Sequence, residues 1–268
     1  MATDPDPLLR RLGEELARAG VAAPTGGGGP VTAGEVADLP PAVQRYLAFM
    51  EVVGRPRVRS FRARFQGRFR LRPKLGWMPA EAWQYNAADP ITRVFVMRLR
   101  FARVVPMIGA DTYVDGHGRM LGKLFDRVTV ADGSGEEFDL GELTTYLNDA
   151  ILLAPSMLLG PATTWIGVDD HTFDVRLTDA GRTVSARVHL DERGAPRDFS
   201  TTDRFADLPT GLVRAEWRTP ISTWTTTIDG RPLPGPMAAV WHLPDGELPY
   251  VEGRIDPASL QIDVAPPG

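Results

Sequence analysis

The sequence predicts a mainly β protein of the α+β class, with one large antiparallel meander sheet curled into an open or half barrel around a central kinked helix. The first observation behind this prediction is the alternation of apolar and polar residues from Phe61 to Arg72, which is typical of a long strand with one buried face. The second is a series of further alternating segments separated by turn residues, since so many strands must curl or close to protect their edges. The third is an apolar helical segment at residues 139–159, interrupted by Pro155.

Two helices are predicted ahead of the sheet. Leucines at helical spacing within Pro7–Ala19 indicate an amphipathic helix, and the glycine-rich run at residues 23–30 predicts a linker. A second helix is expected to begin near Pro41, because proline is favoured in the first helical turn. We therefore divide the chain into residues 1–30, a helix with its linker, and residues 31–268, a single curled β domain.

The opening strand is followed by predicted strands at residues 82–87, 95–102, 111–115, 120–130, 163–168, 172–177, 182–190, 197–205, 212–219, 223–228, 237–243, 250–255 and 260–264. Turn sequences separate several of them. Asp179-Ala180-Gly181 and Asp229-Gly230 are typical of tight hairpins. Consecutive strands are therefore expected to pair as a meander.

The apolar helix interrupts this series of strands. Asp139 is expected to cap its first turn, with Glu142 three residues later completing a capping box. Its apolar stripe consists of Leu140, Leu143, Leu147, Ala150, Ile151 and Ala154. Pro155 predicts a kink or a new short helix, because proline lacks the backbone donor that a straight helix needs. We expect this helix to pack against the apolar face of the sheet.

Composition excludes several classes of function. The chain has 268 residues, no cysteine and a net charge of −4, which argues against thiol chemistry, nucleic-acid binding and attraction to an anionic membrane. No stretch approaches the ~20 apolar residues of a membrane span, so we expect a soluble cytoplasmic protein without stable membrane insertion. The four histidines are far apart and no nucleotide-binding motif is present, so neither a metal nor a cofactor is predicted.

Several local motifs resemble those of one protein family. They are G-E-L-T-T-Y-L-N-D-A at 141–150, A-P-S-M-L-L at 154–159, D-E-R-G at 191–194, T-T-D-R-F at 201–205 and W-H-L-P-D-G at 241–246. With them the chain resembles the uncharacterised bacterial family DUF6544, over roughly Leu39 to Ile255. The resemblance implies an open, curled antiparallel sheet with helices in its concavity, similar to the half-barrels of lipoprotein carriers that shelter acyl chains. It implies no activity.

One candidate catalytic residue lies in a late strand. Asp203 alternates with Thr201 and Phe205, which places its carboxylate on the predicted apolar face. A carboxylate there must be paired, hydrogen-bonded or shifted towards its neutral form. Asp203 is therefore a candidate general acid or base, or a ligand anchor. The alternative is a structural role, in which it caps a loop or pairs with a buried arginine such as Arg103.

The apolar helix supplies a second group of candidates. Asn148 and Asp149 interrupt its hydrophobic sequence, so one of them is expected to face the cavity, and Asp149 is the second candidate catalytic residue. The alternative for both is a solvated helix face or a hydrogen bond to a neighbouring loop. Tyr146 either offers its hydroxyl to a ligand or packs in the core.

Aromatic residues complete the predicted ligand site. Trp217, Trp224 and Trp241 lie on late strands, where they either form a stacking wall for a flat ligand or belong to the sheet core. The full predicted ligand-binding set is Phe65, Met97, Tyr146, Asn148, Thr201, Trp217, Trp224 and Trp241.

The function predicted from these residues is the binding of an apolar small molecule, lipid- or polyketide-like, in a cavity between the sheet and the central helix. The alternative is a cofactor-free cyclase, isomerase or hydrolyase of specialised metabolism, in which a pocket carboxylate acts as general acid or base. A third hypothesis is an interaction module that uses the arginines at residues 62–72, which are also typical of a solvated strand face. The sequence does not determine the oligomeric state.

Overall fold

A computed structural model of the chain describes residues 6–24, 28–70, 76–101, 104–227 and 229–268. Within these residues the protein is mostly β, with a large antiparallel sheet that forms a half-barrel, and four α-helices. The predicted fold class is confirmed.

The α-helices are α1 (Pro7–Arg18), α2 (Ala33–Ala37), α3 (Pro41–Phe49) and α4 (Glu136–Leu153), and short 3₁₀ turns lie at Pro155–Leu158 and Pro257–Ser259. The strands before α4 are β1 (Ser60–Phe69), β2 (Met78–Ala88), β3 (Ile91–Phe101), β4 (Val105–Val114), β5 (His117–Leu124) and β6 (Val128–Ser134). Those after it are β7 (Thr163–Asp169), β8 (Thr172–Asp179), β9 (Arg182–Leu190), β10 (Pro196–Leu208), β11 (Gly211–Arg218), β12 (Trp224–Thr226), β13 (Pro232–Pro234), β14 (Met237–Leu243), β15 (Gly246–Ile255) and β16 (Gln261–Ile262).

The large sheet consists of two meanders that are joined edge to edge where β1 pairs with β15. Its strand order is β6-β5-β4-β3-β2-β1-β15-β14-β11-β10-β9-β8-β7, and β16 also pairs with β1. Strands β12 and β13 form a separate hairpin whose connection contains Asp229 and Gly230, as predicted. The edge strands β6 and β7 are consecutive along the chain, and α4 connects them.

The alternation in β1 has the predicted structural effect. Phe61, Ala63 and Phe65 are buried on one face, whereas two of the arginines on the other face meet acidic partners on neighbouring strands. Arg64 pairs with Glu81 of β2, and Arg68 with Glu252 of β15. These two arginines therefore belong to a solvated strand face, and the last arginine of the series, at position 72, lies outside the described residues.

The start of α4 differs from the prediction. The helix begins at Glu136, after Gly135 with a φ of 111°, so the predicted capping box at Asp139 is wrong. The Asp139 carboxylate is instead buried, where it accepts a hydrogen bond of 2.6 Å from the backbone N–H of Gly118 and pairs with Arg182. Its side chain thus ties the helix to β5 rather than capping the helix.

Two further predictions concern the positions at which a strand and a helix end. The segment 120–130, predicted as part of one strand, contains the end of β5 and the start of β6, because Phe125 and Asp126 adopt positive φ values of 50° and 56° and turn the chain. At Pro155 the prediction is confirmed, since α4 ends at Leu153 and a 3₁₀ turn follows.

Helices cover both faces of the sheet. On the concave side, Leu143, Leu147 and Ile151 of α4 are fully buried, and the Tyr46 hydroxyl of α3 donates a 2.7 Å hydrogen bond to the carbonyl of Ile151. On the convex side, the apolar stripe of α1 packs against β2 and β3. Leu12 of that stripe is fully buried.

Candidate functional site

A cavity of about 430 Å³ lies between the concave face of the sheet and α4. Its volume falls within the roughly 300–1,000 Å³ that is usual for small-molecule sites. Much of its wall is apolar, with contributions from Phe65, Phe95, Met97, Leu152, Trp217 and Trp241. The same cavity also contains a group of charged side chains, which gives it one polar region.

One face of α4 lines this cavity. Glu142, Thr145, Asp149 and Leu152 follow one another at intervals of three or four residues and so share a helical face, and Asn148 lies next to Asp149 at its border. The Asn148 amide donates a 2.7 Å hydrogen bond to the Thr219 hydroxyl. The helix thus buries its apolar stripe in the core and turns a largely polar face towards the cavity.

Arg93 of β3 connects the sheet to this polar face. Its Nη1 donates to Glu142 at 2.8 Å and its Nε to Asp149 at 2.8 Å, and Arg93 is only 5% exposed. The Asn86 amide donates a further hydrogen bond to Asp149 at 3.3 Å. Burial alone would lower the pKa of the Arg93 guanidinium, but Asp149 and Glu142 outweigh it and raise that pKa above its usual range. This is a buried ion triad with satisfied geometry.

Asp111 of β4 is a carboxylate without such a partner. Its Oδ1 is buried and has no hydrogen-bond partner among the described residues. Burial, together with the nearby Glu142 carboxylate, raises the pKa of Asp111 to about 7 against the opposing effect of Arg93 and Arg204. Burial also raises the pKa of Glu142. The cavity therefore contains a carboxyl group that titrates near neutral pH.

Arg204 of β10 is another arginine that lines the cavity. Its guanidinium lies 4.4 Å from the ring centre of Trp217 and 5.7 Å from that of Trp241. Its Nη1 donates to the Tyr250 hydroxyl at 3.3 Å, and Trp217 Nε1 donates to the same hydroxyl at 3.0 Å. Within the part of the chain that the structure describes, Arg204 forms no ion pair with a carboxylate. Aromatic faces and one hydroxyl hold it in place.

A β-bulge explains why Arg204 rather than Asp203 faces the cavity. Thr201 of β10 pairs with Trp217 of β11, and the next register pair is Arg204 with Ala215. Two residues of β10 therefore lie opposite a single residue of β11, which defines the bulge. The bulge reverses the alternation on which the prediction for Asp203 rested.

The interior position predicted for Asp203 is therefore wrong. Its Oδ2 accepts hydrogen bonds from the backbone N–H and the hydroxyl of Ser185, at 2.8 and 2.9 Å, and its Oδ1 pairs with Arg214. Asp203 does not line the cavity. Arg103, considered from the sequence as its partner, lies outside the described residues.

The structure brings most of the other predicted site residues together. Those that line the cavity are Phe65, Met97, Asn148, Asp149, Trp217 and Trp241. Trp217 and Trp241 are directly opposed on β11 and β14, and the Trp241 ring stacks on Tyr250 with centroids 6.0 Å apart. A stretch of aromatic wall therefore exists where the sequence predicted one.

Three predicted residues lie outside the cavity lining. Tyr146 is buried in the core cluster with the apolar stripe of α4. The Thr201 hydroxyl donates to the carbonyl of Ser185 at 2.6 Å, and Trp224 Nε1 donates to the carbonyl of Pro196 at 2.8 Å. The prediction that these side chains face the cavity is wrong, because local backbone partners and core packing hold them elsewhere.

Sequence reasoning gave no site role to six charged residues of the cavity: Arg93, Asp111, Glu137, Glu142, Arg204 and Asp207. A signal existed for two of them. Arg93 precedes Phe95 by two residues in the same strand, so both share a face, and Glu142 precedes Asp149 by two helical turns. Asp111 and Arg204 depended on strand register and on the bulge, which the sequence does not display.

Comparison with known proteins identifies a family and shows a distant similarity to a solved structure. A family of unknown function (DUF6544) matches residues 29–253. A search of curated proteins finds no match to the sequence. Among solved structures, the fold is similar to a domain from Vibrio parahaemolyticus described as an outer membrane lipoprotein-sorting protein, at 10% identity and a TM-score of 0.37, over 76% of this chain and 85% of that one. This similarity is too distant to transfer a ligand or a role.

None of the helices in the described segments is long and apolar enough to cross a membrane.

Proposed function

This chain belongs to the DUF6544 family of unknown function, and we propose that it binds an apolar small molecule, lipid- or polyketide-like, in the cavity between the sheet and α4. The observation that carries the proposal is the apolar wall of that cavity. Burying apolar surface contributes about 25 cal/mol per Å², so a ligand that fills this space would gain most of its affinity from the wall.

The composition of the wall supports a ligand of variable or flexible shape. Four of the eight methionines of the chain line the cavity: Met97, Met107, Met120 and Met237. Methionine side chains are unbranched and polarisable, so they adapt to different shapes more readily than branched residues do. The opposed pair Trp217 and Trp241 adds a flat surface on which an unsaturated ligand can stack.

The test is native mass spectrometry of the protein purified from its own host. We expect a bound small molecule that is released on denaturation. Thr145 faces the cavity from α4, so Thr145→Phe should fill the space and lower ligand occupancy, whereas Thr164→Phe on the exposed face of β7 should leave it unchanged. Wild-type protein that emerges empty from its own host would overturn the proposal. A cytoplasmic location is part of the same proposal, and fractionation of host cells tests it.

A specific observation also favours a second candidate function, that of a cofactor-free isomerase or cyclase. Among the described residues Asp111 Oδ1 has no hydrogen-bond partner, and burial raises the pKa of Asp111 to about 7, which is the range in which a general base works well at neutral pH. Asp149 lines the same cavity but is held by Arg93 and Asn86. Asp111 therefore has the more available carboxylate.

Deuterium exchange separates this candidate from simple binding. The retained ligand would be incubated with the protein in D₂O, and a catalyst that abstracts a carbon-bound proton should incorporate deuterium into it. Asp111→Asn should abolish incorporation, whereas Asp203→Asn, outside the cavity, should not. An unchanged ligand mass with wild-type protein would exclude proton abstraction from that ligand.

A further inference from the structure

Two of the arginines that line the cavity differ in how far their hydrogen-bonding capacity is used. Arg93 is paired with Glu142 and Asp149 through two bonds of 2.8 Å. Arg204 makes one 3.3 Å hydrogen bond to Tyr250, and its Nε is buried without a partner among the described residues. Arg204 is half-buried and has no carboxylate in ion-pair contact among the described residues, so its unused donors favour an anionic partner.

The surroundings determine which part of Arg204 a ligand can reach. A Cβ placed on Gly141 of α4 would lie 4.0 Å from Arg204 Nε, so the helix backbone covers that atom. The faces of Trp217 and Trp241 cover the plane of the guanidinium. Nη2 makes no hydrogen bond within the described segments, and it is the donor left for a ligand.

Arg204 works against the rise in the pKa of both Glu142 and Asp111, so both carboxylates lie near it, but neither forms an ion pair with it within the described residues. Glu142 and Asp149 each form an ion pair with Arg93. Asp111 forms no ion pair in the described part of the chain, and burial raises its pKa to about 7, so a fraction of the molecules carries it protonated near neutral pH. A second negative charge entering the cavity would raise this protonated fraction further, which limits the repulsion.

We propose that Arg204 binds the headgroup of a carboxylic-acid amphiphile, of the fatty-acid class, whose hydrocarbon chain lies along the apolar wall. This inference rests on the proposed binding function and adds the chemical class of the ligand. A guanidinium fork matches a carboxylate geometrically better than an ammonium does. The chain would extend from Arg204 past Trp217 and Trp241 towards Phe65 and Met97.

The test compares three probes with the same chain and different headgroups. Binding of dodecanoate, dodecanol and dodecylamine to the purified protein would be measured by calorimetry at pH 7. We expect dodecanoate to bind about 10- to 100-fold more tightly than dodecanol, since hydrogen bonds to charged groups contribute about 1.5–3 kcal/mol. In Arg204→Gln this preference should disappear while dodecanol binding persists. Arg204→Lys should retain only part of the preference for dodecanoate, because an ammonium group lacks the paired parallel donors of the guanidinium.

Arg176→Gln, which changes an exposed arginine of β8, is the matched control and should behave as wild type. Retained dodecanol binding shows that the Arg204→Gln cavity is still folded. Equal affinity of wild type for dodecanoate and dodecanol would overturn the role of Arg204 while leaving the binding function intact. Tighter binding of dodecylamine would also overturn it and would move the anchor to Asp111. If no probe binds, the proposed function itself fails.

Discussion

Replacing Arg93 by leucine is expected to destabilise the protein by about 3–5 kcal/mol. Arg93 is 5% exposed, and its two 2.8 Å hydrogen bonds compensate the burial of Glu142 and Asp149. Leucine fills part of the same volume but leaves two carboxylates without a cation. The cost is therefore that of uncompensated buried charge, and not that of a lost surface ion pair.

The predicted loss depends on pH in a defined direction. A carboxylate that loses its cation can become protonated, and burial already raises the pKa of Glu142. Protonation removes the uncompensated charge. The destabilisation caused by Arg93→Leu should therefore be largest above pH 7 and should decrease as the pH falls towards 4.

Urea unfolding followed by tryptophan fluorescence measures this effect. Arg98→Leu is the matched control, because Arg98 lies on the same strand but pairs with Glu81 in a partly exposed position, where the loss should be below about 1 kcal/mol. A double variant that combines Arg93→Leu with Glu142→Gln should recover part of the stability. If Arg93→Leu and Arg98→Leu lose the same amount, the buried triad has no special role and the reasoning is refuted.

Two further predictions concern the convex face and the unpaired carboxyl. Leu12→Ala in α1 should cost about 2–5 kcal/mol in urea unfolding, because Leu12 is fully buried against the sheet, whereas Arg10→Ala on the exposed side should have little effect; similar losses in both would show that α1 does not pack there in solution. For Asp111, burial raises the pKa from 3.8 to about 7, so the unfolded chain ionises first and the wild type should lose stability as the pH rises between these values. Asp111→Asn should flatten that part of the stability profile, and an unchanged slope would contradict the assignment.

The fold could be predicted largely because its signals are local. The alternation in β1 repeats every two residues, and the turn at Ala180-Gly181, with φ values of 47° and 77°, is encoded by its own residue types. The kink after α4 follows from one proline. Each of these features depends on neighbours in the sequence, so no knowledge of the tertiary structure was needed.

The candidate site was only half predictable because its charged part is assembled across the sheet. Arg93 meets Glu142 and Asp149 from a strand about 50 residues away in the sequence, and the register that brings them together is a property of the whole sheet. In β10 the bulge reverses the faces, so Arg204 takes the place that alternation assigned to Asp203. An extra residue in a strand cannot be read from a strict period of two.

The connection of β6 to β7 through α4 has a consequence for how the molecule can vary. The 18 residues of α4 rise by about 27 Å, and the chain enters the helix from one rim of the sheet and leaves it to the other rim. The helix thus connects the two edge strands of the sheet. Adding or removing one turn would change the length of α4 by about 5.4 Å and would leave the residues of every strand unchanged. A change in cavity volume can therefore come from the helix alone, with the same sheet.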